Sequence, residues 1–276
     1  MKWRNRGKPF AIILTILLLL FLLFPFFVML STMLKSSQEV YQTPPTWLPK
    51  KLQFVNLVRL WSEFDFGVFF KSSLIIAFGT TLLNSLVTLP AAYAVARLRF
   101  VGRRAILYLF LVIQMFSPLI VLISLFKTMA ALKLLDTYLG LVLANTVFTI
   151  AFTIWMMNGY FRSIPMEIEE AALIDGCNRV QTITRIMIPI AVPGLVTTMI
   201  YSFIAAWNEF LFGLTFIQSR EKMPLVLSLY NFVGRWTTQW ELLTAAAFVA
   251  LIPVLVLFYI IERRLVAGLA GGAIKA

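Results

Sequence analysis

"EIEEAALIDGCNRVQTITRIMIPIAVPGL", Glu167–Leu195, gathers four of the twelve acidic residues of a 276-residue chain into nine positions. The sequence around it is mostly apolar. Hydrophobic residues make up 61% of the chain and charged residues only 13%, with a mean hydropathy of +0.89. A soluble domain carries roughly a quarter charged residues. Uncharged runs lie at Phe10–Leu34, Ser72–Ala96, Ala105–Phe126, Thr137–Phe161, Ile186–Asn208 (continuing apolar to 218) and Leu242–Ile261. Each is close to or above the roughly 20 residues that a helix needs to cross hydrocarbon. The pattern predicts an all-α integral membrane protein with six transmembrane helices, forming a single domain over residues 1–276. The longest gap, Lys35–Lys71, is too short and too poor in periodic apolar pattern to build a core of its own.

An even number of crossings puts both termini on one side, and Lys2, Arg4, Arg6 and Lys8 argue that this side is the cytoplasm. The first apolar run is too long for a signal-peptide core and lacks a small-x-small exit, so it is expected to be retained. The net charge of +12 reads as topology plus contact with lipid headgroups, since no RNP-like or zinc-finger pattern supports nucleic acid. Cys177 stands alone, so no disulfide is available.

The acidic stretch then falls in a cytoplasmic loop, 162–189, between the fourth and fifth spans. Ser163 can cap a helix with Pro165 in its first turn, and Glu167, Glu169 and Glu170 crowd the end where the helix dipole favours negative charge. Gly176 stops it. Ile168, Ala171 and Ala172 share a face completed by Asp175, and the paired alanines admit a close backbone. A second short helix starts at Asn178, and Pro189 and Pro193 turn the chain back into the membrane. The reading is a helix-turn-helix plug offered to a protein groove. The alternative, a solvated loop lying on headgroups, is disfavoured because anionic leaflets repel a Glu-rich helix.

Glu170-Ala171-Ala172, three residues, Gly176, nine residues, then Ile186-x-Ile188-Pro189 resembles the EAA loop of the membrane subunits of bacterial ATP-binding-cassette importers. The departure is at Ile188, where that pattern usually has leucine. "TPPTWLPKKLQFVNLVRLW", "AAYAVARLRFVGRR", "AWNEFLF" and "ERRLVAGLAGGAIKA" extend the likeness over nearly the whole chain, to the shorter permease of maltose-type carbohydrate importers. The resemblance implies a type I importer permease fold in the bacterial cytoplasmic (inner) membrane. It also implies three partners: a second homologous permease, an ABC ATPase dimer and an extracytoplasmic solute-binding protein. Glu170 would make the charge-assisted contact to the ATPase, supported by Glu167, Ala171, Ala172, Asp175, Gly176, Ile186 and Pro189. No Walker A pattern is present, so ATP and Mg would be used by the partner, with no cofactor on this chain.

Rival classes fit poorly. The chain has no histidine, one cysteine and, within the spans, only Glu209 as a carboxylate, too little for a membrane enzyme or for an ion-coupled transporter with its usual repeats. Within the importer class, a non-sugar solute such as a glycerol phosphodiester remains the alternative. Candidate path residues are Gln114, Ser117, Asn145, Asn208 and Glu209, for which a purely structural hydrogen-bonding role is the competing explanation. Trp47, Trp61, Tyr138, Trp155 and Tyr160 read as interface anchors. Outside, Gln38–Arg59 is expected to be stiff, and Tyr230, Arg235 and Trp236 form a candidate docking surface for the binding protein, with a headgroup-anchored loop as its rival.

Overall fold

The computed structural model describes the backbone of residues 7–234 and 236–273 and the side chains of 11–234 and 236–260. In chain order the main helices are α1 (Gly7–Met33), α2 (Phe66–Arg97), α3 (Arg103–Gln114), α4 (Pro118–Ala131), α5 (Tyr138–Ser163), α6 (Met166–Ile174), α7 (Arg179–Ile190), α8 (Val192–Trp207), α9 (Leu211–Phe216) and α10 (Trp240–Ala273). Among the described residues α1, α2, α5 and α10 are long and apolar enough to cross a membrane, and the bent pairs α3–α4 and α7–α8 bring the number to six if each is one crossing.

The run 105–126, expected as one straight helix, is instead α3 and α4 meeting at 100°. The break has a local cause. Ser117 caps α4 by accepting from Leu119 N at 3.3 Å, and Pro118 at the first turn has no N–H to continue the α3 ladder. The fifth run is broken twice. α7 and α8 meet at 79° around Ala191, between Pro189 and Pro193, and α9 is separated from α8 by Asn208–Phe210. The central turn of α7, Thr182–Met187, is π-helical.

Contacts group the chain into two units, Met1–Phe66 with Leu229–Ile252, and Gly67–Ser228 with Pro253–Ala276. In the first unit the segment after α1 is ordered by side chains, as its prolines suggest. Asn56 Nδ2 donates to Met33 O (2.8 Å) and Lys35 O (2.9 Å), while the buried Glu39 accepts from Thr46 Oγ1 (3.1 Å) and Lys50 N (2.9 Å). Tyr41 Oη donates to Thr238 O at 2.5 Å, tying that segment to the loop before α10.

The second unit is built on α2 and α5. Thr81, Asn84 and Thr88 form a polar stripe at helical spacing on α2, and Thr146, Thr149 and Thr153 form another on α5. The two stripes meet. Asn84 Nδ2 donates to Thr149 Oγ1 (2.6 Å), Asn84 Oδ1 accepts from Thr88 and Thr153 (2.7 Å each), and these groups are buried. An apolar cluster lies to either side: Ala92, Tyr93, Met157, Phe161 and Met187 towards one end, and Ile76, Leu141, Phe212 and Phe216 towards the other. α8 approaches α5 closely at Gly194, where a β-carbon would stand 2.3 Å from the Tyr160 ring.

Asn84→Leu would remove the group that pairs three threonine hydroxyls, and we expect about 1–2 kcal/mol of lost stability. Thermal unfolding of the detergent-solubilised protein checks this; an unchanged midpoint would show the stripes to be incidental.

A second clasp lies in the turn before α5. Asp136 accepts from the Ser219 hydroxyl, from Ser219 N at 2.9 Å and from Gln218 N at 3.1 Å, with Lys222 Nζ at 3.3 Å. These groups, the Ser219 hydroxyl foremost, hold the Asp136 carboxyl far below the usual carboxylate range. A depressed folded-state pKa contributes stability above the ordinary aspartate value of 3.8, lost only as pH falls through the folded-state value. Amide protection at Gln218 and Ser219, corrected for intrinsic exchange, should therefore be the same at pH 7 and pH 5, and Asp136→Asn should lower it at both.

Candidate functional site

The acidic stretch folds as the sequence suggests at its centre and differently at its edges. α6 ends at Gly176, which has φ of +84°, with Gly176 N donating to Leu173 O (3.1 Å) and Cys177 N to Ala172 O (3.0 Å). α7 begins with a reciprocal cap, Gln181 N to Asn178 Oδ1 and Asn178 N to Gln181 Oε1, both 2.9 Å. Ser163 does not cap α6. Its hydroxyl donates back to Tyr160 O at 2.8 Å, because α5 runs on to Ser163 itself, and Pro165 takes the cap position.

α6 is two-sided. Ala172 is buried and Ala171 exposed, so the two alanines do not share one outward face; adjacent helical positions point about 100° apart. Glu169 lies one turn from Ala172 and is buried with it. Tyr93 Oη donates to Glu169 Oε1, and Arg97 Nε stands 3.2 Å from Glu169 Oε2. Arg97, the last residue of α2, also donates from Nη2 to Ile164 O (2.6 Å) and lies 3.5 Å from Met166 Sδ. The loop reading passed over Glu169 as one of several acids. Its spacing of three from Ala172, with a basic residue ending α2, was the available signal.

Opposite this clamp, Glu167, Glu170, Ala171, Asp175 and Pro189 are exposed and Ile186 is half-buried. The Glu170 side chain has no hydrogen bond or ion pair to the described residues of its own chain. One turn from it Ile174 is 86% exposed, and Val180 on α7 is 67% exposed.

The candidate path residues divide. Gln114, Ser117, Asn145 and Glu209 line one cleft of about 470 Å³, together with the aromatic rings of Phe148, Tyr201 and Phe210. The α3–α4 break puts Gln114 and Ser117 there. Asn208 is not among them; it is exposed at the end of α8, with its amide donating back to Ile204 O at 3.0 Å. Glu209 accepts from Phe212 N (2.5 Å) and Gly213 N (3.0 Å), so its carboxylate caps α9 while its side chain borders the cleft.

Of the aromatic residues read as anchors, Tyr138 instead bonds Ser72 Oγ (2.9 Å) and Glu221 O (3.2 Å), and Tyr160 packs on Gly194. Tyr230 and Trp236 are 64% and 90% exposed on the loop before α10. Arg235 lies outside the described residues. That loop is a tight turn in which Gly234 N donates to Thr237 O at 3.1 Å and a β-carbon at Gly234 would meet that oxygen at 2.4 Å.

With these features in place, comparison with known proteins defines the class. Residues 88–271 match the family described as binding-protein-dependent transport system inner membrane component, and the chain belongs to it. It is a multi-pass component of a transport system in the inner membrane. It is 35% identical to the inner membrane ABC transporter permease protein YcjP of Escherichia coli K12, over 94% of this chain and 93% of that protein. It is 34% identical to the sulfoquinovosyl glycerol transport system permease protein SmoH of Agrobacterium fabrum, over 98% and 94%. In fold it is similar to a chain of a bacterial ABC transporter importing the acidic polysaccharide alginate, with a TM-score of 0.83, 24% identity and coverage of 95% and 99%.

Arg97→Ala would leave the Glu169 carboxylate buried against Tyr93 without its cation, a type of loss that typically costs about 3–5 kcal/mol. We expect faster hydrogen exchange across residues 166–177 with the rest of the bundle unchanged. Exchange at the wild-type rate would show that the clamp does not hold α6.

Proposed function

We propose that this chain is one of two permeases of an ATP-driven, binding-protein-dependent importer for a sugar or oligosaccharide. It acts as a single permease domain with both termini in the cytoplasm, and moves solute by alternating access. It catalyses nothing itself: ATP and Mg belong to a separate ATPase dimer that meets residues 162–189, and an extracytoplasmic solute-binding protein delivers the solute. The observation that carries the reading is the two-sided α6, clamped to α2 through Glu169 on its inner face while Glu170 and Ile174 stand outward. A transmission element needs one fixed face and one free.

A sugar as solute is supported by the relative that carries a glycerol glycoside and by the chemistry of the cleft. Carboxamides pair with hydroxyls and aromatic faces cover the apolar side of a sugar ring, and Gln114, Asn145 and Tyr201 supply both. Tyr230, Arg235 and Trp236 are the proposed docking surface for the binding protein.

Glu170→Ala should weaken ATPase retention roughly ten- to a hundredfold if the charge-assisted contact is desolvated in the complex. Gly176→Val should be at least as harmful, because φ of +84° strains a β-branched residue. Pull-down of the ATPase, substrate-stimulated ATP hydrolysis and uptake by the reconstituted complex measure both. Wild-type retention and uptake in both variants would overturn the reading.

A further inference from the structure

A second cleft, of about 690 Å³, opens between α3 and α5. Its lining is graded along the helices. Arg104 stands in the first turn of α3, with Leu107 and Leu111 one and two turns further into the span on the same face. Arg162 stands in the last turn of α5, with Asn158 and Trp155 one and two turns further in. The cleft thus runs from two guanidinium groups, past one carboxamide, to an indole and leucines. Among the described residues no carboxylate lines it.

Ser163 at its rim donates to Tyr160 O, but the two guanidinium groups and the carboxamide oxygen are unspent. Arg103, the neighbour of Arg104, donates to Ala96 O at 2.9 Å and lies in the field of both other arginines, but neither Arg104 nor Arg162 has an ion pair among the described residues. Asn158 is 6% exposed, its Oδ1 is unpartnered, and it lines the cleft. An unpaired carboxamide at that depth is costly in hydrocarbon, and two unneutralised cations beside it attract an anion.

We infer that this cleft binds an anionic glycerophospholipid. The phosphodiester sits between Arg104 and Arg162, Asn158 donates from Nδ2 to an ester carbonyl while its Oδ1 accepts from a headgroup hydroxyl, and an acyl chain follows Leu107, Leu111 and Trp155. Arginine forks match phosphate oxygens, and the depth of the apolar part distinguishes a lipid from a soluble phosphate. The lipid is drawn from the cytoplasmic leaflet, an assignment that rests on the importer reading, whereas the binding chemistry does not.

The test is native mass spectrometry of the assembled transporter after exposure to micelles containing phosphatidylglycerol or phosphatidylcholine. The wild type should retain phosphatidylglycerol in preference to phosphatidylcholine. The Arg104→Gln/Arg162→Gln double variant should lose that retention on the order of tenfold or more. The corresponding double lysine variant should keep most of it, and Asn158→Leu should reduce it without releasing the ATPase. Glycerol phosphate in large excess should not displace the lipid. Displacement would mark a soluble phosphate site and overturn the lipid assignment, as would equal retention by the double glutamine variant, equal retention of phosphatidylcholine, or no lipid on the wild type, which would give the cleft to a protein contact. A complex that transports but holds no phosphatidylglycerol overturns this inference alone. A chain that holds the lipid but never retains the ATPase overturns the importer reading alone.

Discussion

The buried guanidinium of Arg97 meets the Glu169 carboxylate and the Ile164 carbonyl at the point where α5 has ended and α6 has begun. A carboxylate in that position is tolerable only with a cation and a donor at hand, and Tyr93, one turn back on α2, supplies the donor. Because both belong to the end of α2, α6 has a single seating. Its other residues follow from that choice: once Glu169 and Ala172 turn inward, helical geometry leaves Glu170, Ala171 and Ile174 on the outside. The exposed acid and the exposed isoleucine are consequences of the buried pair.

The same accounting operates deeper in the bundle, where water is not available to settle it. Hydroxyls on the α2–α5 seam have to find partners in the protein, and Asn84 serves three threonines at once, while Thr80 Oγ1 on α2 is left without one. Where the chain abandons regular helix it does so with a substitute in place, Ser117 capping α4 and Glu209 capping α9. Those two substitutes border the same cleft. Irregular backbone at membrane depth is tolerated beside a cavity and not against lipid, which explains why the polar residues of the breaks and the cleft coincide.

The membrane class and the all-helical fold were legible because each depends on composition over many residues or on a spaced motif, and the expected six crossings stand if each bent pair is one crossing. The bend between Pro189 and Pro193 was expected, but the break in the third run and the one between α8 and α9 were not, since hydropathy is blind to direction: Pro118 stops a helix without making the run less apolar. Glu169 was hidden for a related reason. Four acids in nine positions look alike until a partner is known, and Arg97 is 72 residues before Glu169 in the chain, a separation that no local pattern bridges. Asn208 and Glu209 show the opposite difficulty, because adjacent polar residues were read together while the end of α8 sends one outward and turns the other to a helix cap.

From the clamp inward, contacts are continuous. Arg97 and Tyr93 end α2, Asn84 on the same helix holds Thr149 of α5, and Thr149 donates to the carbonyl of Asn145, whose side chain lines the cleft. Contiguity alone is geometry; it becomes coupling only if some element has two arrangements that both ends bias. The α2–α5 seam is a poor candidate for that element, since sliding it would break the bonds of Asn84 in a medium that offers no replacements. The breaks are better ones. At Met115–Ser117 and around Ala191 the chain already turns through 100° and 79°; the first has only i→i−3 bonds from Met115 and Phe116, and at the second Pro193 supplies no N–H, so a change of angle there costs fewer hydrogen bonds than in a straight helix. A displacement of α6 would therefore carry α2 and α5 as one body and be taken up where α3 meets α4 and α7 meets α8, and the first of those breaks is itself a wall of the cleft.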